Sequence, residues 1–135
     1  MKNITVDNYK KDHYYTKIVN AFTEINKNNS FISPLLIFES LELLNQSDID
    51  KWKQGNIPYL EKVIHCNLSK ASIILRIISF HAHDLNMKRS ITVYRRKIKG
   101  KVLLLKFTKT GDTNIEKAYS THFFNTKKDR KETLL

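Results

Sequence analysis

Along most of the chain the apolar residues recur every third or fourth position, and only in residues 91–108 does the period shorten to two. From Asp12, DHYYTKIVNAFTEINKN places Tyr15, Ile18, Val19, Phe22 and Ile25 on one side of a predicted helix that the polar NNS ends. SPLLIFESLELLNQ starts a second helix, with Ser33 as N-cap, Pro34 at the first helical position and a stripe of Leu36, Ile37, Leu41 and Leu44. Asn45 and Gln46 read as a turn, and SDIDKWKQG as a short helix capped by Ser47 and closed by Gly55. Pro58 restarts a helix after Asn56, with Leu60, Ile64, Leu68, Ala71, Leu75, Ile78, Ala82 and Leu85 on one stripe. A second stripe of Ile73, Ile77 and Phe80 makes that helix apolar on more than one face, which marks it as central. Ser69 also suits an N-cap, so one bent helix and two consecutive helices both fit.

ITVYRRKI and KVLLLKFT then alternate around a two-residue KG turn, the pattern of a β-hairpin. A lone hairpin is marginal in water, so Leu103, Leu105 and Phe107 are expected to face the helices. TGDTNIEKAYSTHFF offers Asp112 or Thr113 as the cap of a closing helix with Ile115, Ala118, Tyr119 and His122 on one side. The expected fold is thus α+β: one domain over residues 1–135 with four to five helices, one basic β-hairpin and a closing helix. Its core is expected to span about residues 12–124, with 125–135 a frayed basic tail.

Composition adds a charge argument. The 135 residues carry 24 Lys and Arg against 13 Asp and Glu, for a net charge of +11. An AT-rich genome favours Lys, Asn and Ile codons, and a well-solvated face would also use lysine. Codon bias does not explain the distribution, because residues 88–109 hold nine bases and no acid while the flanks are nearly balanced; a well-solvated face stays as the competing reading. Such a local field attracts phosphates. The N-terminal residues lack the apolar core of a secretory signal, and IILRIISF is interrupted by Arg76 and too short to span a bilayer. A single cysteine, Cys66, suits a reducing compartment. A cytoplasmic protein without membrane contact is expected.

Two resemblances follow from particular residues. The segment LLIFESLELLNQSDIDKWKQGNIPYLEKVI is similar to helix–turn–helix repressors of the phage Cro and CI type. That resemblance implies a support helix over Leu35 to Leu44 and a recognition helix over Ser47 to Gln54, presenting Lys53 and Gln54 beside Asp48 and Asp50. Over about residues 12–124 the chain also resembles a family of small uncharacterised bacterial proteins. The resemblance is carried by Trp52, Gly55, Pro58, Tyr59, Leu60 and Glu61, then Gly111, Asp112, Ile115, Glu116, Ala118 and Tyr119. It implies one structural unit and supplies no activity.

Catalytic and metal chemistry finds little support. His81 and His83 face different sides of a helix, no His–x–x–x–His pair exists, and Cys66 points away from His65 in any helix. Lys109, Thr110 and the Gly111 amide can hold one phosphate, although KTGD lacks the glycine spacing of a P-loop. Glu61 and Glu116 would serve a small nuclease only if the fold paired them. No cofactor is expected. The expected function is therefore non-enzymatic nucleic-acid binding, DNA before RNA, through Arg95, Arg96, Lys97, Lys99, Lys101, Lys106 and Lys109 with Lys53 and Gln54. Tyr94 is placed either to stack on a base or to pack as core. The competing reading is a protein-interaction module or host-directed factor whose basic hairpin docks an acidic partner.

Overall fold

The computed structural model describes residues 4, 5 and 7–125; the predicted tail over 125–135 lies, apart from Asn125, outside them. Among the described residues five helices and five short strands follow in the order α1 (Tyr15–Asn28), β1 (Phe31–Ile32), α2 (Pro34–Ser40), α3 (Gln46–Lys53), α4 (Leu68–Asp84), β2 (Lys88–Ile91), β3 (Arg95–Ile98), β4 (Lys101–Leu104), α5 (Thr113–Ser120) and β5 (Thr121–Phe124). The fold is mixed α+β. Two 3-10 turns, Tyr9–Lys11 and Leu60–Val63, complete it. One buried cluster runs from Ile4 to Phe123 and centres on α4, whose Ile74, Leu75, Ile77, Ile78 and Ala82 are all buried. No helix among the described residues is long and apolar enough to cross a membrane.

The core starts earlier than residue 12. Tyr9 is buried, packs on Tyr15 and Phe80 and bonds through its hydroxyl to Asp84, while Arg76 Nη1 donates to the Ile4 carbonyl at 3.3 Å. Ile4 and Tyr9 are thereby fastened to the central helix.

Helix ends follow capping chemistry, with corrections to the sequence reading. Ser33 caps α2 as expected, accepting from Leu36 N at 3.2 Å. That helix stops at Ser40, well before Leu44, because Glu42 enters the left-handed region at φ 63 and Leu43 N bonds back to Phe38 O. Asn45, and not Ser47, caps α3 through Asp48 N at 2.8 Å. Gly55 closes α3 at φ 81, with Asn56 N bonded to Lys51 O, and Asn86 closes α4 in the same way at φ 55.

Pro58 does not restart a helix. Tyr59 is extended, and the Leu60 and Glu61 amides donate across the fold to Lys106 O at 3.1 Å and Phe107 O at 2.9 Å. Those bonds replace the helical ladder, so the long helix waits until Asn67, not Ser69, caps it by accepting from Lys70 N at 2.8 Å.

The late strands also divide differently. β2 belongs to an antiparallel sheet of order β1-β5-β2, and the hairpin is β3–β4 alone. The closing helix stops at Ser120, after which His122 lies in β5 opposite Ser90. Thr121, His122 and Phe123 are buried there, where α5 would have left them only one covered side.

Candidate nucleic-acid interface

The hairpin turns through Lys99 and Gly100, both at positive φ (47 and 80), the backbone that matches the right-handed twist of two paired strands. Its register pairs Arg95 with Leu104, Arg96 with Leu103, Lys97 with Val102 and Ile98 with Lys101. Directly paired residues share a face. Arg95 and Lys97 therefore project from one side, Arg96 and Lys101 from the other, and Lys99 from the tip. All of these except half-buried Arg96 are exposed.

Arg96 has a partner in the body. A Cβ on Gly55 would collide with Arg96 Nη1 and stand 3.2 Å from its Cζ, so the guanidinium lies against the bare glycine at the C-terminal end of α3. That end carries the negative pole of the helix dipole, which suits a cation. Lys53 and Gln54, exposed at the same end of α3, thus sit beside the inner face of the hairpin. Replacing Gly55 by valine is expected to cost about 2 kcal/mol, because a β-branched residue is strained at that φ. The substitution also pushes Arg96 off its seat; urea denaturation measures the loss.

The hairpin is rooted in aromatic rings. Tyr94, just before β3, and Phe107, after β4, both pack on Trp52, at centroid distances of 5.6 and 5.0 Å, and Leu105 N donates to Tyr94 O at 2.9 Å. Trp52 is fully buried and its Nε1 donates to Lys106 O at 2.7 Å. Tyr94 is hydrogen-bonded to His122 Nε2 at 2.8 Å, and burial pushes its phenol up to about 12. Tyr94 is thus a core residue. The expected inward face holds only near these roots: Phe107 is 1% exposed and Leu105 half-buried, but Leu103 is 49% exposed. Val102 and Leu104, on the opposite face, are 48% and 70% exposed.

Lys106 and Lys109 form a separate basic spot where the chain leaves the hairpin, with Lys106 Nζ donating to Lys109 O at 3.3 Å. The loop beyond is organised by Glu116. Its carboxylate accepts from Phe107 N (3.0 and 3.1 Å), Thr108 N (2.7 Å) and Thr108 Oγ1 (2.7 Å). Gly111 N then donates to Thr108 Oγ1 at 2.8 Å, and Asp112 caps α5 through Asn114 N and Ile115 N. Tyr119 stacks on Phe107 and donates to Glu61 Oε2 at 2.8 Å. Residues from the two stretches that carry the family resemblance therefore meet in one joint, around the root of the hairpin.

The same contacts account for the candidate catalytic groups. The fold does bring Glu61 and Glu116 near one another: burial raises the Glu61 pKa and the Glu116 carboxylate adds to it, against the Tyr119 hydrogen bond. Glu116 is taken up by three donor groups and Glu61 by a phenol that burial and Glu61 itself keep protonated. Burial also raises the Cys66 thiol, away from a reactive thiolate. Among the described residues no group of three or more His, Cys, Asp or Glu side chains can hold a metal ion.

Of the other charges, Asp50 accepts from Gln46 Nε2 at 2.8 Å and Asp48 sits in the first turn of α3. Arg89, inside the acid-free segment, is held by the Ser79 carbonyl at 3.0 Å and lies over the Phe123 ring. Sequence reasoning missed the seating of Arg96 on Gly55 and the exposed Val102 and Leu104. Burial cannot be read from an apolar strand alone, and Arg96 carries no signal separating it from its neighbours. Comparison with protein-family models, with curated proteins and with solved structures finds no match for this chain.

Proposed function

We propose that this protein binds nucleic acid, duplex DNA in preference to RNA, without catalysing a reaction on it, through the β3–β4 hairpin and the adjoining end of α3. The observation that carries this reading is the seat of Arg96 on Gly55. It fixes the end of α3, with exposed Lys53 and Gln54, against the inner face of the ribbon, while Arg95 and Lys97 stand on the outer face and Lys99 at the tip. A basic two-stranded ribbon of this kind can lie along the phosphate backbone or enter a groove, with the phosphates as its main contacts. The helix–turn–helix resemblance of residues 35–64 supports the same assignment. Lys106 and Lys109 add phosphate contacts at the root of the ribbon.

A second reading has its own support. The exposed Val102, Leu103 and Leu104 among cations also suit an acidic protein partner, which would make the hairpin a docking element. Mobility-shift titrations across salt separate the two. With six or so phosphates neutralised, log K for duplex DNA is expected to fall with log salt at a slope of about −5. Binding to poly-glutamate that equals binding to DNA at matched salt, with no duplex preference, would favour the docking reading.

A further inference from the structure

Phosphate contacts account for the cations of the hairpin but not for the aliphatic groups between them. The pairs Arg95–Leu104 and Lys97–Val102 set two cations and two aliphatic side chains on the outer face, opposite the face that carries Arg96 to Gly55. Leu104 is 70% exposed and Val102 48%. A surface built only for the sugar-phosphate backbone has no use for them. A second copy of this chain is a poor cover, because a two-fold contact sets each patch against itself and would bring Arg95 and Lys97 against their like. A bilayer is a poor cover too. The tip bears Lys97, Lys99 and Lys101, so the cations would enter ahead of the aliphatic groups.

The major groove of duplex DNA matches both kinds of group. It is about 12 Å wide and admits a two-stranded ribbon. Its walls are phosphates, and thymine contributes the apolar group on its floor, a C5-methyl. We propose that the outer face of the ribbon lies in the major groove, with Val102 and Leu104 against thymine methyls and Arg95 and Lys97 on the phosphates beside them. This rests on the DNA-binding reading above and adds to it a preference for thymine-bearing sequence.

Fluorescence anisotropy with the full chain tests it. One duplex is A·T-rich; the other is the same sequence with uracil for every thymine, which removes the methyls and leaves charge, pairing and minor groove unchanged. The uracil duplex is expected to bind about fifteenfold more weakly, from two methyls at roughly fourfold each. The double variant Val102→Thr, Leu104→Ala is expected to bind the two duplexes equally, and to melt like the native protein. Equal binding of both duplexes by the native chain overturns the inference and leaves DNA binding standing, a comparison that needs no variant. No binding to either duplex overturns the DNA reading itself. Retention on phosphatidylserine vesicles that the double variant loses, with uracil making no difference, assigns the aliphatic groups to a lipid surface and also overturns the inference.

Discussion

Replacing Trp52 by alanine is expected to cost about 4 kcal/mol of folding stability, in the range for removing a fully buried large aromatic ring. The indole is 0% exposed and fills the space between the end of α3 and the two roots of the hairpin, Tyr94 and Phe107. Lost packing dominates this cost. The Lys106 carbonyl, relieved of the indole N–H, still accepts from Leu60 N at 3.1 Å, so no buried acceptor is orphaned. Against a total stability of about 5–15 kcal/mol for a domain, that loss brings the variant close to its unfolding threshold. Trp52→Phe keeps a ring in the same space and is expected to lose clearly less. Thermal and urea denaturation followed by circular dichroism measure both. A loss within about 0.5 kcal/mol, the scale of surface substitutions, would remove Trp52 from the joint.

The joint matters for function because it couples the hairpin to the helix. Tyr94 and Phe107 leave opposite strands of the ribbon and meet on the same indole, while Glu116 holds the Phe107 and Thr108 amides from the other side. The ribbon is thus rigid at its root. Toward the tip, burial falls away through Leu105 and Leu103, and Lys97, Lys99 and Lys101 stand in water. A fixed root and a solvated tip suit an element that enters a groove at a set angle from α3.

Much of this fold was legible in the sequence for identifiable reasons. Ser33 and Asp112 are local devices, a side-chain oxygen serving the amides two or three residues on; Ser33 caps where the sequence places it, and of the two candidates Asp112 and Thr113 the cap is Asp112. Gly55 was legible because few residues other than glycine adopt its φ, and the KG turn because two positive φ values suit a two-residue hairpin loop. The largest failures share one cause. Leu60 and Glu61 have a helical pattern, yet their amides serve carbonyls 46 residues away, and nothing local announces that. His122 and Phe123 continue the periodicity of α5 but are claimed by β1 and β2 on either side. The candidate site divides along the same line. The cations were visible as a block without acids, while their division into two faces, and the capture of Arg96 and Arg89 by the body, depend on partners distant in sequence.

That division decides how the cationic surface should be tested. Reversal of Arg95, Lys97, Lys99 and Lys101 to glutamate is expected to weaken duplex binding by more than about 10³-fold at moderate salt, since a grip on some six phosphates becomes repulsive. Arg96 is left in place because its guanidinium belongs to the α3 joint, and its removal would mix a packing loss with a charge loss. All four chosen side chains are exposed, so the variant is expected to melt like the native protein. The neutral version, with glutamine at the same four positions, gives the finer measurement. Removing four of six contacts should flatten the slope of log K against log salt from about −5 to about −2. Native-like binding by the glutamate variant at low salt would show that the hairpin is not the contact surface. The end of α3 is expected to behave differently, because Lys53 and Gln54 lie on a helix that also carries Asp48 and Asp50, which repel phosphates. Lys53→Gln and Gln54→Ala should each lower affinity only a few-fold, and equally on every sequence. The opposing result is a site bound on the order of 10³-fold more tightly than random DNA, with that preference lost in Gln54→Ala. Base reading would then belong to α3, and the ribbon would serve as its anchor on the backbone.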